Sequence, residues 1–178
     1  MNILLLNGSP RAAGNTAALL GEIQRGIQEK GEHSVRCVDV TRLNIKPCIA
    51  CNYCQKREGT CVHRDDCPAL LEQFREADCI IFGSPVYWWN ISAQLKLFID
   101  RLYADMGGIN GKKIGVVAVG AEALDDPEYR LIREQFECIA NHLQWDLLFS
   151  AFASAYEAGA VREDAGTMER FHQLGLSL

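Results

Sequence analysis

The sequence predicts an α/β protein built on a doubly wound, five-stranded parallel sheet of order 2-1-3-4-5. Short apolar runs of strand length alternate with longer stretches whose apolar residues recur at helical spacing. Five strands interleaved with five helices demand a parallel sheet covered on both faces, and right-handed crossovers leave only a few doubly wound orders. Two of the apolar runs stop at the same turn, Gly-Ser-Pro, which marks two strand ends of related design.

The elements follow in order. Asn2–Asn7 is an apolar strand that ends at Gly8-Ser9-Pro10. Asn15 and Thr16 can cap a helix carrying Ala18, Leu19, Ile23 and Ile27 on one face, closed by Gly31. Ser34–Val40 reads as the second strand. Residues 43–67 then lack any clean period, and so long a connection in a compact fold is usually functional. Ala69–Glu76 is a helix, and Cys79–Phe82 a buried strand running into Gly83-Ser84-Pro85. A third helix starts near Ser92, with Leu95, Phe98 and Ile99 as core contacts. Asp100 and Arg101 on the same helix are expected to form structural ion pairs or helix-end contacts. Lys113–Val119, Pro127–Leu143, Asp146–Ala151 and Val161–Leu174 complete the series as strand, helix, strand, helix. No linker or repeat interrupts it, so residues 1–178 are expected to fold as one domain with a cysteine-rich insertion at 43–67.

Bulk composition excludes several functions. A net charge of -5 without basic runs argues against nucleic acid as a partner. No apolar stretch is long enough for a membrane span, and the first residues lack the basic flank of an export signal, so a cytoplasmic location is expected. Neither Gly-Ser-Pro turn is a Gly-x-Ser-x-Gly elbow, which disfavours a hydrolase. His33, His63, His142 and His172 lie far from both turns and read as surface or packing residues.

The segment Gly8-Ser9-Pro10-Arg11-Ala12-Ala13-Gly14-Asn15-Thr16 carries the first chemical signal. A strand passing through small and hydroxyl residues into a helix aims backbone N–H groups and a positive helix end at one point, which suits an anion. The loop has neither the Gly-Lys-Ser/Thr of a nucleotide triphosphatase nor the three glycines of a dinucleotide fold. A phosphate monoester held by Ser9, Arg11, Asn15 and Thr16 fits better, against the plainer reading of an ordinary strand–helix turn. In a 2-1-3-4-5 sheet the first and third strands are neighbours, so Gly83-Ser84-Pro85-Val86-Tyr87-Trp88-Trp89-Asn90 should lie beside this loop. Tyr87, Trp88 and Trp89 offer flat surface for a planar ring, and Asn90 an amide; packing on the next helix or a second subunit is the alternative.

Gly8-Ser9-Pro10-Arg11 with Gly14-Asn15-Thr16, then Gly83-Ser84-Pro85-Val86-Tyr87-Trp88 and Gln94-Leu95-Lys96, resembles the NADPH-dependent FMN reductase family of flavodoxin-like proteins. The resemblance extends to about Gly120. It implies that Ser9, Arg11, Asn15 and Thr16 hold the phosphate of FMN and that Pro85, Val86, Tyr87 and Trp88 line its ring and ribityl chain. A third, glycine-rich contact loop of the family is reduced here to Gly120. The chemistry would be carried by FMN, with no catalytic side chain required. NAD(P)H as donor rests on the resemblance alone, and the acceptor would be a quinone, a flavin, another small molecule or a protein.

Eight cysteines are many for a chain without an export signal. Cys37, Cys79 and Cys138 sit in apolar surroundings and are expected in the core. Cys48, Cys51, Cys54 and Cys61 instead crowd into one window at Cys-x2-Cys-x2-Cys-x6-Cys spacing, which lets successive sulfurs point at a shared centre. This spacing resembles the iron–sulfur flavoproteins, a branch of the same family, and so implies a 4Fe–4S cluster on those four residues. Zinc held by these thiols or by His63 is a second reading, Cys67 in place of Cys61 a third, and free thiols a fourth. The runner-up function is accordingly a carrier relaying electrons between protein partners. Exposed aromatics and a long cysteine loop would be costly to leave bare, so a homodimer or homotetramer is expected.

Overall fold

The computed structural model describes residues 1–178. Five parallel strands form its sheet: β1 (Asn2–Asn7), β2 (Ser34–Asp39), β3 (Cys79–Tyr87), β5 (Lys113–Gly120) and β6 (Asp146–Ser154). A two-residue strand, β4 (Asn90–Ile91), pairs antiparallel with the end of β3. The order β2-β1-β3-β5-β6 is the expected doubly wound one, with β4 standing off the path. Helices α1 (Asn15–Lys30) and α5 (Ala165–Ser177) cover one face. Helices α2 (Cys67–Glu76), α3 (Ala93–Arg101) and α4 (Pro127–Leu143) cover the other.

Strand periodicity divides the core between these layers. Leu4, Leu6, Ile80, Phe82, Ile114 and Val116 face α2, α3 and α4. Their neighbours Ile3, Leu5, Ile81, Val117 and Val119 face α1 and α5. Such strands are apolar on both sides because both sides are buried, which is why they read as continuous runs. On the α2–α4 face, Phe74 lies edge-on to Phe98 at 5.8 Å, and Phe82 packs on Phe136 at 5.1 Å. No helix is long and apolar enough to cross a membrane.

Several boundaries differ from expectation for identifiable reasons. Strand β3 does not stop at the Gly-Ser-Pro turn; Gly83, Ser84 and Pro85 still pair with Val117, Ala118 and Val119 of β5. Proline is tolerated there because β1 has already left, its last partner on β3 being Gly83, so one edge is open. Pro68 sits in the first turn of α2, which therefore starts at Cys67. The last helix is split by Asp164, whose side chain caps α5 through the Thr167 N–H, leaving Ala160–Glu163 as a separate 3-10 turn. Cys79 is buried, but Cys37 and Cys138 are exposed, against expectation. Cys37 lies on edge strand β2, and Cys138 follows Glu137 on the solvent side of α4.

Helices α1 and α5 cross at two glycines. A methyl on Gly26 would meet the His172 carbonyl at 2.3 Å, and one on Gly175 would meet the Ile23 carbonyl at 2.2 Å. Gly→Ala inside a helix normally stabilises by roughly 0.5–1 kcal/mol. Here Gly26→Ala is expected to do the reverse, destabilising by about 1–3 kcal/mol through overpacking; the midpoint of urea unfolding checks this.

Candidate functional site

The site begins where β1 and β3 part. The Gly8 N–H still donates to the Gly83 carbonyl (2.8 Å), after which the two chains diverge. The gap is stitched from α3: Ser92 Oγ donates to the Gly8 carbonyl (2.7 Å), and Ser84 Oγ accepts from the Ser92 N–H (2.8 Å). Beyond Gly8, the Asn7 side chain accepts the Ser9 N–H (3.0 Å), and Ser9 Oγ accepts the Arg11 N–H (3.2 Å). These bonds curl the loop so that α1 points its start at the gap. Gly14, the N-cap, has no side chain to cap with, and the first bond of the helix runs from the Ala18 N–H to Gly14. The N–H groups of the first turn are thus left for a ligand.

A cleft of about 250 Å³ lies over that turn. Its walls include Ser9, Arg11, Gly14, Asn15 and Thr16 from the first loop, and Pro85, Val86 and Tyr87 from β3. Val119, Gly120 and Ala121 close it from β5, and Ala155 and Tyr156 from the segment after β6. Most of the residues singled out from sequence therefore share one cleft. Asn15 reaches it differently than its type suggests. Its side-chain amide donates to the carbonyls of Ala155 (3.1 Å) and Glu157 (2.8 Å), and its Oδ1 accepts the Val161 N–H (3.2 Å). That side chain is spent on holding the segment after β6. Ala155 and Tyr156 escaped sequence reasoning, although the carboxyl end of the last strand was the place to search.

Trp88 and Asn90 lie outside the cleft walls. Val86 and Tyr87 pair with Ile91 and Asn90 in a hairpin whose two central residues, Trp88 and Trp89, both have positive φ (50° and 57°). Such turns favour Asn-Gly, and two tryptophans there are strained. Trp88 is 90% exposed at the tip, and Asn90 Oδ1 accepts the Ile91 N–H (2.7 Å).

Gly120 is bare because Glu128 fills the space its side chain would take; a methyl there would meet Glu128 Oε1 at 1.8 Å. Glu128 is buried in the first turn of α4, and Oε1 has no hydrogen-bond partner. Burial, with Asp126 and Glu122 nearby, holds its carboxyl above the usual range. A carboxyl raised on folding stabilises the fold while neutral and loses that contribution as pH rises through its folded pKa. Glu128→Gln is therefore expected to raise the melting temperature at pH 8 by roughly 2–4 °C, with the gain shrinking toward pH 4; thermal scans across that range check it.

The cysteine loop is a separate site. Cys48 and Cys51 are exposed, Cys54 and Cys61 half-buried. Four thiols are the right number and kind for a thiolate-ligated cluster. As placed, however, no three His, Cys, Asp or Glu side chains converge closely enough to hold a metal ion. Cys67 is buried in the core, and burial pushes its thiol up to about 11.

Fold and crevice together define a flavodoxin-like protein with a cleft at the carboxyl edge of its sheet. Residues 1–131 match the family model described as NADPH-dependent FMN reductase, and the chain belongs to that family. An iron–sulfur flavoprotein of Methanocaldococcus jannaschii is 42% identical over 123 residues, covering 68% of this chain and 63% of the relative. An iron–sulfur flavoprotein of Archaeoglobus fulgidus is 36% identical over 116 residues, covering 64% and 52%. The matched part thus spans less than two-thirds of either relative. Among solved structures, an azoreductase from Bacillus anthracis superposes at TM-score 0.78 with 15% identity, covering 100% of both chains. An NAD(P)H:quinone oxidoreductase from Methanothermobacter marburgensis superposes at 0.75 with 18% identity, covering 99% of this chain and 96% of that one.

Proposed function

We propose that this chain binds FMN in the crevice and serves as an oxidoreductase that takes electrons from NAD(P)H and passes them to a quinone, a flavin or another small acceptor. One observation carries the reading: an uncapped helix start, a cation and hydroxyls converge where the first and third strands separate. The donor set fits a phosphate monoester. Ser9, Arg11 and Thr16, with the first-turn N–H groups of α1, would hold it. The cleft has room for the phosphate and ribityl parts, while Pro85, Val86 and Tyr87 would support the ring at its open side. Bound FMN supplies hydride acceptance and one- or two-electron release, so the protein needs no nucleophile of its own. Gly120 brings the end of β5 into the cleft wall, with Glu128 packed behind it where a side chain would otherwise stand.

A second reading is favoured by the thiol loop and by the names of the matched relatives. In it the loop holds an iron–sulfur cluster and the chain relays electrons between proteins. Rapid turnover of NAD(P)H with small acceptors would favour the first reading, and reduction by ferredoxin but not NAD(P)H the second. The exposed Trp88-Trp89 tip supports a homodimer or homotetramer, and eight cysteines suit a reducing, cytoplasmic compartment.

Replacing Arg11 or Thr16 by Ala should weaken FMN binding by about tenfold or more without unfolding the chain, as loss of a charged or hydroxyl donor to phosphate requires. Quenching of flavin fluorescence in titrations of the apoprotein measures this, with circular dichroism as the folding control. Unchanged affinity in both variants would refute the assignment of the cradle.

A further inference from the structure

The cysteine loop leaves the fold at Asn44–Pro47 and returns at His63–Cys67, and these two stretches are zipped together. The Asn44 N–H donates to Asp66 Oδ2 (2.7 Å), and the Asp66 N–H donates back to the Asn44 carbonyl (3.1 Å). Asp65 then bridges the two stretches, taking the Lys46 N–H on Oδ2 (2.9 Å) and the Cys67 N–H on Oδ1 (3.2 Å). One step further out, His63 Nε2 lies 3.1 Å from the Pro47 carbonyl.

Arg101, from the last turn of α3, runs through the middle of this neck. Its guanidinium donates to both oxygens of Asp65 (2.7 and 3.2 Å) and to the Lys46 carbonyl (2.8 Å). The two side chains are 2% and 0% exposed, and Arg101 Nε is buried with no partner at all. Burying such a pair is a poor way to gain stability, because desolvation offsets the attraction; its best-attested use is to specify one arrangement over others.

What this pair specifies is the mouth of the loop. Cys48 directly follows Pro47 and Cys61 lies just before His63, so all four spaced thiols hang beyond the neck. The far part of the loop leans on the same end of α3: Gln55 donates to the Tyr103 carbonyl (2.9 Å), and the Tyr103 hydroxyl donates to Asn52 (3.4 Å). The neck is therefore built, while the thiols beyond it do not converge.

We propose that Arg101 and Asp65 are positioning residues that hold the neck fixed so that Cys48, Cys51, Cys54 and Cys61 can close round a thiophilic metal centre. This rests on reading the loop as a thiolate site. Closure is then a movement of the loop tip against a fixed mouth, and capture is tight because only the tip has to be ordered when metal arrives.

The test is titration of the reduced, full-length protein with Co²⁺ alone, read as sulfur-to-cobalt charge-transfer absorption. The wild-type chain should bind and show the band, and Cys48→Ser with Cys61→Ser should abolish it. The informative variant pairs Asp65→Leu with Arg101→Met. It replaces the ion pair by apolar side chains, an exchange that commonly keeps a fold as stable as before. Its affinity for Co²⁺ should fall about 10–100-fold, the usual cost of losing a residue that orients ligands, while its melting temperature does not fall. If that variant does not fold, Asp65→Asn is measured instead, with the same fall expected. Wild-type affinity in the folded variant would overturn the positioning role. A wild-type chain without the band, or a band that survives the cysteine changes, would overturn the thiolate reading and the proposal with it.

Discussion

The crevice exists because β1 and β3, hydrogen-bonded neighbours up to Gly8 and Gly83, are forced apart immediately beyond them. A methyl on Gly8 would meet Leu95 Cβ at 2.8 Å and Ser92 Oγ at 3.0 Å, so α3 is packed against the very point of separation. Ser92 is at once the N-cap of α3, through the Leu95 N–H, and the donor to the Gly8 carbonyl. One hydroxyl thus fixes both where the third helix begins and where the first strand ends. The open edge of β3, the place of Pro85 and the aim of α1 all follow from that junction.

The fold was legible because its information is local. Apolar runs on both faces of each strand, and Pro and Asp at the start of α4, set elements within a few residues of their own sequence; α4 runs from Pro127 to Leu143 as the pattern requires. The crevice was legible for a related reason, since the doubly wound order alone brings the loops after β1 and β3 together. What escaped depends on partners distant in the chain. Asn15 carries the residue type of an anion ligand, yet its amide is taken by carbonyls 140 and 142 positions away. Arg101 reads as half of some ion pair, but nothing near it in sequence says that the partner is Asp65 or that the pair is buried. Trp88 reads as a ring-stacking residue, and the left-handed turn sets it at an exposed tip outside the cleft walls.

Two costly features lie at the two ends of α3. Before its start stands a hairpin with a pair of tryptophans in a conformation that side chains resist; at its end is an arginine buried with one nitrogen unpaired. Both are expenses that ordinary packing does not require; one borders the cleft and the other holds the neck of the cysteine loop. The helix itself is short, about 14 Å at the usual rise, so crevice and thiol loop are separated by a single rigid spacer.

The segment after β6 completes the cleft from outside the region that matches the family model, which ends at residue 131. Tyr156, 77% exposed, and Ala155 are anchored by Asn15 and by Arg162, which donates to the Ala13 carbonyl (3.0 Å). Grip and access are therefore encoded in different stretches of the polypeptide. In the binding mode proposed above, the early stretch can keep its phosphate contacts while the late one changes. Divergence among such chains would then alter which molecules gain entry long before it altered what is held inside.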